Sequence, residues 1–203
     1  MEEKPIMVLA GEIKRKMFHH LSLLYMAIYW LIPREIALAL LGVVLILLSV
    51  TEFFRLRRPE INAWFLQKFG GIHRESEVMA PSGIFWTLLG SWLTMLVFTN
   101  KRIVLPALGF LVFGDAVAAL GGKKWGKHVW EKNPNKTLEG SACFAAVSAL
   151  WALLFVRWPV AILGGLSGAW IEARPLPWND NFWIPLLSGA ALSVLNLVLG
   201  KGS

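Results

Sequence analysis

Asp115 lies in the apolar run FLVFGDAVAALGG at residues 110–122, and five lysines follow it, at positions 123, 124, 127, 132 and 136. The lysine-rich stretch contains Gly126 and ends in Lys136-Thr137-Leu138-Glu139-Gly140, where apolar sequence resumes. A carboxylate in an apolar membrane segment costs roughly 2.5 to 3.5 kcal/mol on insertion scales, so it is paired, hydrated or bound to a cation. Asp115 is therefore either the partner of a lysine or a Mg²⁺ ligand, since Mg²⁺ needs only one or two carboxylates when substrate phosphates complete its shell. Glu139, in the first turn of the next helix, is the second candidate metal ligand, or else an acid placed there by the helix dipole. Lys136 and the glycines Gly121, Gly122 and Gly126 suit a phosphate, because backbone N–H groups and a helix start can approach an anion there. Lys136-Thr137 lacks the preceding Gly-x-x-x-x-Gly of a P-loop. These residue types in this order fit a metal-nucleotide site at a membrane surface.

The elements that must position these groups are apolar helices. Of the 203 residues, 56% are hydrophobic, and the mean hydropathy of +0.57 exceeds that of an ordinary globular chain. The pattern predicts an all-α polytopic membrane protein of about seven transmembrane helices, a single integral membrane domain over 1–203. Apolar runs fall at about 17–32, 36–54, 84–98, 103–120, 138–156, 160–171 and 182–199. The sixth, with Gly164, Gly165 and Gly168, is short for a hydrocarbon core of about 30 Å. An amphipathic stretch at 61–69 suits the interface, Asn133-Pro134-Asn135 reads as a turn, and Asn135 is a candidate N-cap. Glu52 and Arg55 stand at i, i+3, the spacing of an ion pair within a helix.

With the N-terminus cytoplasmic, fifteen of the 20 lysines and arginines fall on the cytoplasmic side. The cytoplasmic loops are then 55–82, 121–137 and 172–181. The net charge of +7 sits between apolar runs rather than on a soluble basic face, which points to lipid headgroups and a nucleotide and away from nucleic acid. The single cysteine, Cys143, excludes an intrachain disulfide and a CxxC metal site. Glu12, Arg15, Lys16 and His19 fall at i, i+3, i+4 and i+7, one face of a helix that could meet the nucleotide, with His19 a candidate general base.

The set Gly114-Asp115-Ala116, Gly121, Gly126, Lys136-Thr137 and Glu139-Gly140 resembles the signature of the CTP-dependent lipid kinases, which include dolichol, phytol and CTP-using diacylglycerol kinases. Glu12, Arg15, Lys16 and His19 resemble the acidic, basic and histidine pattern of that family, and Glu172, Pro177, Asp180-Asn181 and Pro185 resemble a third element. The resemblance implies CTP as phosphoryl donor, a lipid alcohol as acceptor, and Mg²⁺ with CTP. It implies catalytic roles for Asp115, Lys136 and Glu139. Nucleotide contacts are implied for Gly114, Gly121, Gly126, Lys136, Thr137, Gly140, Arg15 and Lys16, and accessory roles for Glu12, His19, Glu172, Asp180 and Asn181. Phosphatidate cytidylyltransferases resemble the central part as well, but their Asp-Arg-x-Asp-Ser pattern is missing here. A lipid-binding or transport protein, with Asp115 paired to a lysine, is the non-enzymatic alternative.

Overall fold

The computed structural model describes residues 22–68 and 77–200. The stripe Glu12, Arg15, Lys16 and His19 lies outside them. Two compact units, 1–89 and 90–203, divide the chain, and each is described by itself.

In the first unit Pro33 separates α1 (Ser22–Leu31) from α2 (Arg34–Arg57), and α3 (Pro59–Lys68) follows at once. The 24 residues of α2 would span about 36 Å at 1.5 Å per residue. Its Leu40, Val43, Val44, Leu47 and Val50 are exposed, as suits a helix whose solvent is lipid. The expected pair at its end forms: the Arg55 guanidinium donates to Glu52 Oε2 at 2.7 Å. Arg55, 1% exposed, also donates to Asn62 Oδ1 at 2.9 Å and to the Ala80 carbonyl at 2.6 Å. Asn62 in turn donates to the Val78 carbonyl at 2.9 Å, and Glu52 accepts from the Ser82 N–H at 3.3 Å. One buried cation thus satisfies the backbone that enters α4 (Gly83–Val97). Arg55→Ala leaves Glu52 buried without its cation, which costs about 3 to 5 kcal/mol. Thermal unfolding of purified protein should show a large loss, and an unchanged midpoint would contradict this role.

The second unit is built around one continuous helix of 25 residues, Lys101–Trp125. It comprises α5 (Lys101–Gly109), a π-helical turn (Phe110–Gly114) and α6 (Asp115–Trp125). Asn100 caps α5 through a 2.9 Å bond from the Arg102 N–H. Val104, Leu105, Leu108, Phe110, Leu111 and Val112 are all buried, so this helix is apolar all round and central to its unit. Around it pack α7 (Leu138–Ala152), α8 (Trp158–Ala173) and α9 (Asp180–Leu199). Phe110 meets Phe144 edge-on, with ring centroids 6.2 Å apart. At Gly165 a Cβ would come 2.7 Å from the Ala145 carbonyl, so α8 and α7 approach backbone to backbone.

Two expectations need correction. Among the described residues only Arg34–Arg57, Lys101–Trp125 and Asp180–Leu199 are long and apolar enough to cross a membrane, so the seven-span count is not met. Among the described residues the apolar runs form helices where they were expected, but α4, α7 and α8 have only 15, 15 and 16 residues. The chain leaves α7 in a turn after Ala152, and α8 restarts at Trp158-Pro159, giving α7 and α8 lengths of about 23 to 24 Å. The all-α class holds, and the second correction concerns residues 133–135. Val129–Trp130 (β1) and Asn133–Thr137 (β2) form an antiparallel hairpin. Its turn is Glu131-Lys132, so Asn133-Pro134-Asn135 is strand and Asn135 is no cap.

Candidate active site

Four element ends meet at Lys136. Asp115 opens α6, Lys136 stands near the end of β2, Glu172 lies in the last turn of α8, and Asp180 opens α9. The π-helical turn sets the first of these. The Asp115 N–H reaches back to the Phe110 carbonyl, and the extra residue rotates the helix beyond it by about 100° relative to an unbroken α-helix. The hairpin sets the second. Trp130 Nε1 donates to Ser141 Oγ at 3.0 Å, the Leu138 N–H to the His128 carbonyl at 2.8 Å, and Asn133 Nδ2 to the Ala173 carbonyl at 3.3 Å. The strand is thereby tied to the start of α7 and the end of α8. Asn179 sets the fourth by capping α9, its Oδ1 accepting from the Asn181 N–H at 3.0 Å.

Lys136 Nζ donates to Glu172 Oε1 and, at 3.0 Å, to Asp180 Oδ2, and it lies 3.8 Å from Asp115 Oδ1. Glu172 and Asp115 are buried, at 2% and 5% exposure. Burial disfavours the ammonium, yet the charges of Asp180, Asp115 and Glu172 outweigh it and hold the Lys136 pKa above the ordinary lysine value. Lys136 therefore stays charged at neutral pH. One ammonium thus faces three carboxyl groups, an excess of oxygen donors in a largely buried site. Such oxygen-rich surroundings attract a divalent cation. Among the described residues no three His, Cys, Asp or Glu side chains form a ready-made metal cage. Asp115 and Asp180, both beside Lys136, supply the one or two carboxylates that Mg²⁺ takes where phosphate and water complete its shell. The donor set fits Mg²⁺ on these terms.

Asp115 and Lys136 are thus brought together as expected, and Glu172 and Asp180, expected as accessories, complete the cluster. Glu139 does not join it. Its Oε1 lies 2.6 Å from His128 Nδ1, and its Oε2 accepts from the His128 N–H at 3.3 Å. The expected Asp115 and Glu139 metal pair is corrected accordingly: from the second position of α7, Glu139 meets the hairpin instead. Thr137 is the N-cap of α7, its hydroxyl accepting from the Gly140 N–H at 3.1 Å.

The expected nucleotide glycines are points of close packing. A Cβ would lie 2.5 Å from Ser148 Oγ at Gly114, and 2.7 Å from Cys143 Sγ at Gly121. At Gly126 it would lie 2.7 Å from Thr137 Cγ2, and at Gly140, 2.8 Å from the Ala118 carbonyl. These contacts close α6 onto α7 and so place Lys136 beside Asp115. The Asn181 N–H belongs to the cap of α9. What sequence reasoning missed entirely is Trp178, two residues before Asp180, whose φ is 64°. Its residue type alone carries no sign of that conformation.

No family model matches the chain, and no solved structure matches it. Among curated proteins it is 27% identical to the CTP-dependent diacylglycerol kinase 1 of Saccharomyces cerevisiae, over 91% of this chain and 73% of that one. It is 31% identical to the dolichol kinase EVAN of Arabidopsis thaliana, over 77% of this chain but 28% of that one. It is also 31% identical to an uncharacterized protein of Rickettsia prowazekii, over 86% of this chain and 90% of that one.

Proposed function

This chain belongs to the CTP-dependent lipid kinase family, and we propose that it transfers the γ-phosphoryl group of CTP to the hydroxyl of a neutral membrane lipid alcohol at the Lys136 cluster. The observation that carries the reading is the convergence of Asp115, Glu172 and Asp180 on Lys136. Phosphoryl transfer asks a protein mainly for positioning and charge neutralisation. Asp115 and Asp180 would hold Mg²⁺, which when bound neutralises phosphate oxygens. The Lys136 ammonium, drawn away from one carboxylate, contacts the phosphates from the other side. The acceptor oxygen bonds to the γ-phosphorus, CDP leaves with the bridging oxygen, and a carboxylate of the cluster takes the hydroxyl proton. Packing at Gly114, Gly121, Gly126 and Gly140 keeps this geometry, and Thr137 fixes the helix that follows Lys136.

Charge also selects the acceptor. A phosphatidate would bring further negative charge to a cluster that already carries an excess of carboxylates, whereas an alcohol brings none. Diacylglycerol is the first acceptor to test, because the S. cerevisiae diacylglycerol kinase aligns over most of its own length. Isoprenoid alcohols come second. The lysines that flank the cluster in sequence support a cytoplasmic location for it, on the side where CTP is present. Purified protein given CTP, Mg²⁺ and a panel of lipid alcohols should yield CDP and one lipid phosphate. Absence of transfer to every alcohol would reject the reading.

A further inference from the structure

The segment joining α8 to α9, Arg174-Pro175-Leu176-Pro177-Trp178-Asn179, holds an aromatic side chain in an unusual state. Trp178 is the residue with positive φ, 64°, that is not glycine among the described residues. A bulky side chain is rarely found there, and such a conformation persists where the surroundings over-determine it, often beside a ligand. The surroundings do so here. Trp183 Nε1 donates to the Pro177 carbonyl at 2.8 Å on one side of Trp178, and Asn179 caps α9 on the other. The two indoles stack, with centroids 5.7 Å apart and planes 12° apart, and Phe182 meets Trp178 edge-on at 5.7 Å. Even so stacked, Trp178 is 69% exposed.

Two residues further on is Asp180, whose carboxylate accepts from Lys136. The Trp178 and Asp180 Cα atoms are therefore within about 7.6 Å, two peptide links. A rigid ring two residues from a carboxylate that holds the Lys136 ammonium suits a nucleotide site, with a π-face for the base and a cation for the phosphates. A tryptophan that only marks headgroup depth needs neither a left-handed backbone nor a stacked support.

We propose that Trp178, backed by Trp183, is the stacking platform for the pyrimidine base of the nucleoside triphosphate whose phosphates meet Lys136. This rests on the kinase reading above. Stacking accepts any base, so the platform contributes nucleotide affinity and not the choice among bases.

The test uses the full chain in lipid nanodiscs with CTP and diacylglycerol. Trp178→Gly removes the ring and suits the positive φ, so no new backbone strain accompanies the loss. Trp178→Phe keeps a ring on the same backbone. Trp178→Gly should raise KM for CTP about tenfold, with a smaller change in kcat and none in KM for the lipid. KM for ATP, if ATP is used, should rise in proportion, and Trp178→Phe should recover most of the CTP affinity. Normal transfer with an unchanged KM for CTP would overturn the platform alone, as would a rise confined to KM for the lipid, the mark of a membrane anchor. No transfer by the unaltered chain would overturn the kinase reading and the platform with it.

Discussion

Asp115→Asn should lower turnover at least a hundredfold while leaving the fold intact. The amide is nearly isosteric, so the packing at the start of α6 is kept, but it lacks the charge that would hold Mg²⁺ against the phosphates. A hundredfold loss corresponds to about 2.7 kcal/mol of transition-state stabilisation. Stability should behave differently. Lys136 keeps Glu172 and Asp180 as partners, and removing one of three neighbouring negative charges relieves repulsion among the rest. The unfolding midpoint should therefore shift by no more than about 4 °C, which is about 1 kcal/mol for a chain of this size. Near-normal turnover would make Asp115 a structural partner of Lys136 and nothing more.

Lys136→Ala should damage both properties. It leaves three carboxylates facing one another, two of them buried. Breaking a fully buried ion pair costs about 3 to 5 kcal/mol, and the cost here is smaller because the Lys136 side chain retains 21% exposure. Turnover should fall at least a hundredfold, and the unfolding midpoint should drop. Added Mg²⁺ should raise the midpoint of this variant more than that of the unaltered chain, because a divalent cation replaces the missing positive charge among the carboxylates. The two substitutions thus move the net charge of the cluster in opposite directions, and the stability readout separates them. An unchanged midpoint with unchanged CTP dependence would reject the role given to Lys136.

Local features of the fold were legible before any coordinates. The apolar runs marked the helices, because a chain without water must satisfy its backbone internally. The i, i+3 spacing of Glu52 and Arg55 marked their pair, though not the carbonyls that Arg55 gathers from the segment before α4. Asp115 stood out because a carboxylate is costly in an apolar run, and a lysine was one of its two candidate partners. The rest depends on contacts that spacing does not encode. Glu172 and Asp180 reach Lys136 across 36 and 44 residues, through the packing of α8 and α9 on the central helix. Glu139 was the expected second carboxylate beside Asp115, yet its side chain meets His128. The motif glycines suggested room for phosphate, and the structure uses them to bring α6 and α7 together. Neither the π-helical turn before Asp115 nor the left-handed backbone of Trp178 has a residue type that announces it.

The kinase reading makes one claim that the shared Gly-Asp and Lys-Thr-x-Glu-Gly elements do not decide, namely which phosphorus of CTP is attacked. Asp115, Glu172 and Asp180 argue for a neutral acceptor and hence for the γ-phosphorus. CTP labelled at the γ-phosphate and CTP labelled at the α-phosphate, each supplied with diacylglycerol and with phosphatidate, test this directly. The γ-label should appear in lipid phosphate with release of CDP, and the α-label should never enter lipid. Transfer of the α-label to phosphatidate with release of pyrophosphate would contradict it.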